Sequence, residues 1–428
     1  MTREEVISRL YDRYIKPTED KKDSFIGVEI EMPIVNLNGE AVDFDTVHLL
    51  TAAFLREFDF TATSFDEEGH IYSTVNSENG DVFSYDCSYN NMEFSFGKEK
   101  NLLTIHDRFK TYYGFVQEFF KKFNYTLTGM GINPNRGVNH NLPIENGRYK
   151  MLFNHLSSFS KYFYIPMFFH RYPQFGMFSS ASQVQLDVTR ERLPEAVDTF
   201  NKLEPVKALI FSNSVLLGEN EDLLSYISTA SIYCVEREGK YLNFPPVNIL
   251  EYFTLDSLTG EYTENGKAYQ MKFSPQPEDI SYLRTFKFED LTYRGTIEFR
   301  SSCCQPIGDV MTVAAFHLGL MDRTERLKKL IEADNSIYHN GYNAAELRHQ
   351  LVHRDLPKYV DPDGVYDLAR KVLELSFEGL AQRGQGEEKY LEPLFERVKN
   401  RTNPAKTMLD RLKNGEGIYS IVKSYAEA

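Results

Sequence analysis

Residues Ile26–Ile34 read Ile-Gly-Val-Glu-Ile-Glu-Met-Pro-Ile. Ile26, Val28, Ile30, Met32 and Ile34 fall at alternate positions, with Glu29 and Glu31 between them. Successive side chains of a strand point to opposite sides, so this period of two predicts a strand with one face on a hydrophobic core. Three other segments repeat it. In Met92–Phe96, the residues Met92, Phe94 and Phe96 oppose Glu93 and Ser95. In Gln183–Val188, the residues Val184, Leu186 and Val188 oppose Gln183, Gln185 and Asp187. In Tyr293–Arg300, the residues Tyr293, Gly295, Ile297 and Phe299 oppose Arg294, Thr296, Glu298 and Arg300.

Each polar face alone reads as the solvated side of an antiparallel sheet. Together they read differently, because they carry Glu, Gln, Asp and Arg but no Lys. Carboxylates gathered on one surface repel each other and partly protonate. Magnesium relieves that repulsion, and oxygen ligands with bridging phosphate are its preferred surroundings. Arginine adds permanent, planar positive charge suited to phosphate oxygens. The combined face therefore predicts a site for a magnesium–nucleotide complex, or at least for a metal and an anion. The chain has no G-x-x-x-x-G-K-[ST] and no G-x-G-x-x-G after a strand. A bound nucleotide would then be held by sheet side chains and not by a glycine loop.

Working outward, the chain has 428 residues, 42% of them hydrophobic, enough for a large core. It shows no repeat, low-complexity tract or interdomain linker. We expect a single catalytic domain over 1–428, with a sheet-bearing core over about 20–320 and a helical part over about 321–428. The net charge of -14 argues against general affinity for nucleic acid or anionic membranes. Met1 to Tyr14 is charged throughout, without the apolar core of a signal peptide. No stretch reaches the roughly 20 apolar residues of a membrane span. The apolar runs Tyr162–Phe169 and Val313–Leu320 read as core elements. Cys87, Cys234, Cys303 and Cys304 lack zinc-site spacing and fit packed thiols of a reducing cytoplasm. Helical spacing fits Arg3–Tyr14, Leu102–Phe123, Leu193–Asn213 and Asp309–Ala333. A further helix is expected from a cap at Asp363 to Gly384. Val235–Pro275, rich in Gly, Pro, Asn and Tyr, predicts surface loops with short strands.

These motifs resemble a known family. Ile26–Glu31 is similar to the opening Gly-x-Glu-x-Glu of glutamate–cysteine ligases, especially the plant and proteobacterial type. Asn91–Ser95 resembles their second acidic strand, and Gly147–Met151 their Gly-Arg-Tyr motif. Gln183–Asp187 resembles their Val-Gln-Val-Asn-Leu-Asp strand, Phe211–Ser214 their Phe-Ala-Asn-Ser turn, and Arg294–Arg300 their last strand. The motifs keep the family's order over about residues 25–320. The resemblance implies an α+β fold, a curved and mainly antiparallel sheet with helices outside, as in the catalytic domain of glutamine synthetase. It implies an ATP- and magnesium-dependent reaction in which the γ-carboxylate of glutamate becomes an acyl phosphate and the amine of cysteine displaces phosphate. By analogy Glu29, Glu31, Glu93 and Glu298 are metal ligands, and Gln183 is a weaker metal-side candidate. Arg294 and Arg300 would bind phosphate, and Arg148 a phosphate or a substrate carboxylate. Without the resemblance, Arg148 reads equally well as a surface ion pair, and Asn213 as a turn or capping residue. His140, His155 and His170 read as ordinary histidines, since magnesium prefers oxygen.

There are departures. Cys303 stands where the family has Asp, Gln185 where it has Asn, and Ser179–Ala181 where it has Thr-Cys-Thr. They leave the metal set in place and put the acceptor pocket, and with it cysteine as the amine, in question. Three readings stay open: ligation of glutamate to cysteine, the same chemistry with another amine, and a metal-free carbohydrate-binding or hydrolytic protein with paired carboxylates. The expected partners are small molecules, with the chain a monomer or homodimer.

Overall fold

The computed structural model describes residues 5, 8, 9, 11–19, 21, 24–158, 176–215, 234–237, 240–243, 261–264, 267–270, 288–337, 344–352 and 356–428. Ile26–Asn36 forms β1, the middle of a nine-stranded sheet. On one side follow β5 (Asn91–Glu99), β4 (Val82–Tyr85), β3 (Ile71–Asn76) and β2 (Phe60–Phe65). On the other follow β7 (Ala181–Asp187), β13 (Thr296–Cys303) and β12 (Glu289–Leu291). β6 (Tyr125–Leu127) pairs with the far end of β1. Each of these pairings is antiparallel. The sheet is open, with β12 and β2 at its edges. The fold is thus the expected α+β sheet. Two short hairpins, β8–β9 (Cys234–Arg237 and Lys240–Asn243) and β10–β11 (Glu261–Glu264 and Lys267–Gln270), fall in the stretch expected to hold loops and short strands.

Burial follows the period of two. Ile26, Val28, Ile30, Met32 and Ile34 are all buried, as are Met92, Phe94, Phe96, Val184, Leu186, Ile297 and Phe299. Helices cover this face. α1 (Phe44–Glu57) brings Phe54 onto Phe83 of β4, their rings stacked with centroids 4.4 Å apart. α2 (Leu102–Lys121), capped by the Asn101 side chain, packs on β5 and β6. α3 (Gly147–Ser158) follows a long loop. The expected Leu193–Asn213 helix is two, α4 (Leu193–Lys202) and α5 (Glu204–Phe211). Pro205 explains the break, because it lacks an N–H and its ring clashes with the preceding turn. Asp309–Ala333 likewise divides into α6 (Thr312–Met321) and α7 (Thr324–Glu332).

The C-terminal helices are α8 (Ala344–Leu351), α9 (Pro362–Arg383), α10 (Glu392–Lys399), α11 (Pro404–Lys413) and α12 (Ile418–Tyr425). The cap of α9 is Asp361 and not the expected Asp363: its carboxylate accepts from the Asp363 N–H, and Pro362 occupies the first turn. Gly384, at φ 65°, ends the helix where expected. α6 and α9 cross closely, since a Cβ on Gly379 would lie 1.9 Å from the Gly319 carbonyl oxygen. α12 is tied to the sheet by Gly129 N–H to Tyr425 O at 3.1 Å and Tyr113 OH to Ala426 O at 2.6 Å. The sheet shares one hydrophobic core with α8, α9 and α10, while α11 and α12 pack with Val35 and Met130 in a second, smaller cluster. At the N-terminus Glu5, Ser8 and Arg9 are helical, whereas Val6, Ile7 and Leu10 lie outside the described residues. So do Tyr162–Phe169, His170 and the side chains of His155 and Cys234.

Candidate active site

Strand register decides which polar side chains meet. Glu31 of β1 faces Glu93 of β5, and Glu29 lies between Ser95 and Gln183. Gln185 of β7 faces Glu298 of β13. The four glutamates expected as ligands therefore form a row across β5, β1, β7 and β13, on the side opposite the core.

Amide groups stand between the carboxylates. Gln183 Nε2 donates to Glu31 Oε1 at 2.6 Å, and the Ala181 N–H donates to Glu31 Oε2 at 2.8 Å. Gln185 Nε2 donates to both Glu29 Oε1 at 2.9 Å and Glu298 Oε1 at 2.8 Å. The Thr296 hydroxyl donates to Gln185 Oε1 at 3.3 Å, which turns the amide nitrogen toward the acids. Ser95 Oγ donates to Glu93, and Arg300 pairs with Glu298.

This row is short of positive charge. Burial pushes the Glu29 carboxyl well above the usual carboxylate range, and Glu298 and Glu93 add to the rise against the pull of Arg300 and Arg294. Burial does the same to Glu31, with Asp86 and Glu93 adding to it. Glu93 is pushed up to about 7, by burial first and Asp86 second, with Ser95, Arg148 and Arg300 opposing. A carboxylate without enough cations near it keeps its proton longer.

The arginines take different places. Arg300 lies on the acidic face with its backbone N–H donating to the Phe288 carbonyl at 2.9 Å. The strand expected over Tyr293–Arg300 begins only at Thr296, and Arg294 sits in the turn before it. Gly295 makes that turn at φ 73°, and a Cβ there would lie 2.6 Å from the Pro17 carbonyl oxygen. Only glycine fits both demands. Arg294 is exposed, its guanidinium 4.7 Å from the Tyr293 ring centroid, yet close enough to bear on Glu29. Arg148 is exposed near the start of α3, over the Tyr149 ring, and bears on Glu93. The fold thus joins Glu29, Glu31, Glu93, Glu298, Gln183 and Arg300 directly, with Arg294 and Arg148 at the margin.

Two participants went unassigned in the sequence. Asp86 follows β4 and bears on Glu31 and Glu93. Its signal was the alternation Val82-Phe83-Ser84-Tyr85-Asp86, whose polar positions continue the acidic face because Ser84 pairs with Glu93. Gln185, expected on the polar face but given no role there, bridges two carboxylates. Asn213 is structural, its buried amide donating to the carbonyls of Gly129 and Cys304 at 2.6 and 2.7 Å. His140 is exposed and edge-on to Phe44. Cys87, Cys303 and Cys304 are buried thiols outside any disulfide, with Cys303 Sγ 3.1 Å from Ser214 Oγ. Burial pushes the Cys304 thiol up, which disfavours thiolate chemistry.

The donor set suits a hard cation. It consists of the carboxylates of the row, of which Glu29, Glu31 and Glu93 have raised proton affinity, plus Gln183 Oε1, which is buried and without a hydrogen-bond partner among the described residues. Among the described residues no three His, Cys, Asp or Glu side chains converge as a finished metal cage. The reason is visible in the hydrogen bonds: the amides of Gln183 and Gln185 separate the acids.

No family model and no curated protein matches the chain in sequence. Among solved structures, it is similar to a glutamate–cysteine ligase from Francisella tularensis in complex with AMP, at a TM-score of 0.52 and 10% identity over 96% of this chain and 88% of that one. It shares that fold. Looser similarity links it to a bifunctional glutathione synthetase from Pasteurella multocida, at a TM-score of 0.48 and 12% identity over 99% of this chain and 53% of that one. A third similarity is to the ligase PafA in complex with the ubiquitin-like protein Pup, at a TM-score of 0.38 and 9% identity over 94% of this chain and 71% of that one. The fold assignment rests on the first.

Proposed function

We propose that this chain is an ATP- and magnesium-dependent carboxylate–amine ligase that joins the γ-carboxylate of glutamate to the amine of cysteine. The observation that carries the reading is the row of carboxylates beside Arg300 on a sheet of this fold, with Glu29, Glu31 and Glu93 holding their protons. The fold shared with the Francisella ligase supports it, as does the order of the sequence motifs.

In this reading a glutamate oxygen attacks the γ-phosphorus of ATP and ADP leaves. The amine then attacks the acyl carbon, phosphate departs, and the amine's proton is lost. Magnesium, when bound, supplies charge neutralisation for phosphoryl transfer, and Glu29, Glu31, Glu93 and Glu298 with Gln183 Oε1 would hold it. Arg300 offers a fixed cation to the transferring phosphoryl group. Arg294 and Arg148, at the margin, are suited to outer phosphate or substrate carboxylate groups. The buried sheet face orients the reacting groups, and phosphoryl transfer depends mainly on such positioning.

A second reading keeps this chemistry with a different amine. Its support is Cys303, a thiol held against Ser214 where the resembled family has a carboxylate. The test is phosphate release from magnesium–ATP and glutamate with a panel of amines. Cysteine should give the fastest release; equal rates with alanine or a polyamine would leave only the second reading. Absence of both phosphate release and any thermal shift with magnesium–ATP would remove the ligase altogether. Among the described residues no helix is long and apolar enough to cross a membrane.

A further inference from the structure

Behind the acidic face, on the core side of β13, lies a second group of buried charges. Glu204 opens α5, Lys207 follows one turn later, Glu289 sits in β12 and Arg348 comes from α8. All four are buried. Arg348 Nε pairs with Glu204 Oε2 at 2.8 Å, and Lys207 Nζ with Glu289 Oε1 at 3.0 Å and with Glu204. The ligase chemistry proposed above uses none of them. A buried ion network is a weak source of stability, because desolvation offsets much of the attraction. Its placement says more.

The network grips β13 at its one irregular point. Phe299 pairs with Val184, but the next pair is Ser302 with Ser182. Arg300 and Ser301 therefore stand opposite the single residue Gln183, a bulge that interrupts the ladder. Other contacts replace the lost bonds. Arg348 Nη2 donates to the Ser301 carbonyl at 2.9 Å, and Ser301 Oγ donates to Glu204 Oε1 at 2.7 Å. The Arg348 guanidinium also lies 4.8 Å from the Phe288 ring centroid, and the Phe288 carbonyl receives the Arg300 N–H. Arg348 thus reaches both bulge residues, one directly and one through Phe288. Its planar fork does this in a way lysine cannot.

We infer that Arg348 and Glu204 are positioning residues for Arg300, holding the β13 bulge so that its guanidinium stays beside Glu298. This rests on the ligase reading for its functional meaning, though not for its geometry. The effect should appear in turnover, because a small displacement of a group that acts on the transition state is costly.

The experiment is a double-mutant cycle on phosphate release, using parental protein, Arg348→Lys, Arg300→Lys and the double variant. Arg348→Lys should lose about ten-fold or more in kcat while keeping one cooperative thermal transition. The double variant should be no slower than Arg300→Lys alone, because both changes remove the same contribution. Losses that multiply, or an unchanged kcat in Arg348→Lys, would overturn the inference. Should Arg348→Lys not fold, Ser301→Ala, which loses only the bond to Glu204, takes its place in the same cycle and is judged the same way. If the parental protein releases no phosphate with any amine, the ligase reading fails on its own. The crystal structure of Arg348→Lys then decides: Arg300 displaced from Glu298 supports the positioning role, and Arg300 unmoved overturns it.

Discussion

On the core side of β13, Glu204 and Glu289 are buried with Lys207 and Arg348 between them; on the other side Glu29, Glu31, Glu93 and Glu298 share Arg300, with Arg148 and Arg294 at the margin. Burial raises the pKa of a carboxyl on either side. Behind the strand, Lys207 and Arg348 outweigh that rise and hold Glu204 at about 2. In front, burial prevails and Glu93 stands at about 7. The difference is one of neutralisation. At the rear the two cations neutralise Glu204, while burial and the Glu204 charge push Glu289 up to about 8 against the pull of Lys207. Among the described residues the front row has Arg300 alone on its face and gains from any added cation.

The contrast can be broken most forcefully at the rear. Arg348→Met removes one of the two cations paired with Glu204 and should cost about 3–5 kcal/mol, read from the denaturant midpoint. Glu29→Gln removes a repelling charge and should leave stability unchanged or slightly higher. Equal losses in the two variants would erase the distinction between the faces.

Next in size is turnover. Glu29→Gln or Glu298→Gln should lower phosphate release by about 100-fold or more while the protein stays folded. Unchanged turnover in both would sink the metal assignment.

Glu204 and Glu93 also predict opposite pH windows. Glu204, with its folded pKa depressed, contributes stability above its ordinary value of 4.5 that is lost as pH falls toward about 2. Glu93, with its folded pKa raised, binds more protons folded than unfolded between 4.5 and about 7. Stability therefore falls as pH rises through that window. Magnesium favours the ionised carboxylates, so magnesium chloride should raise the melting temperature more at pH 8 than at pH 5.5. An equal shift at both pH values would argue against binding at the acidic face.

The smallest expected effect is at Asp86. Asp86→Asn removes a charge that raises Glu93, and should move the pH-dependent window down by less than about one unit. A window that stays in place would separate Asp86 from the site.

Much of this front face was legible in local sequence. Glu29, Glu31, Glu93, Gln183 and Glu298 each sit at polar positions of an alternating segment, and each lies on the acidic face. Arg294 was misplaced because Gly295 turns the chain against Pro17, a contact with a residue far away in sequence. Asp86 was missed because β4 is only four residues long, too short for its alternation to stand out. The helix expected over Leu193–Asn213 breaks where Pro205 removes a donor, a signal that was present and local.

The alternating segments by themselves determined which residues of each strand share a face, because backbone geometry alone sets that period. Only the tertiary structure decided that Glu29 and Glu298 meet across one Gln185 amide, that β13 carries a bulge at Arg300, and that Arg348 and Glu204 brace it. Register between segments about 150 or more residues apart is set by the packing of the whole core, and no local spacing encodes it.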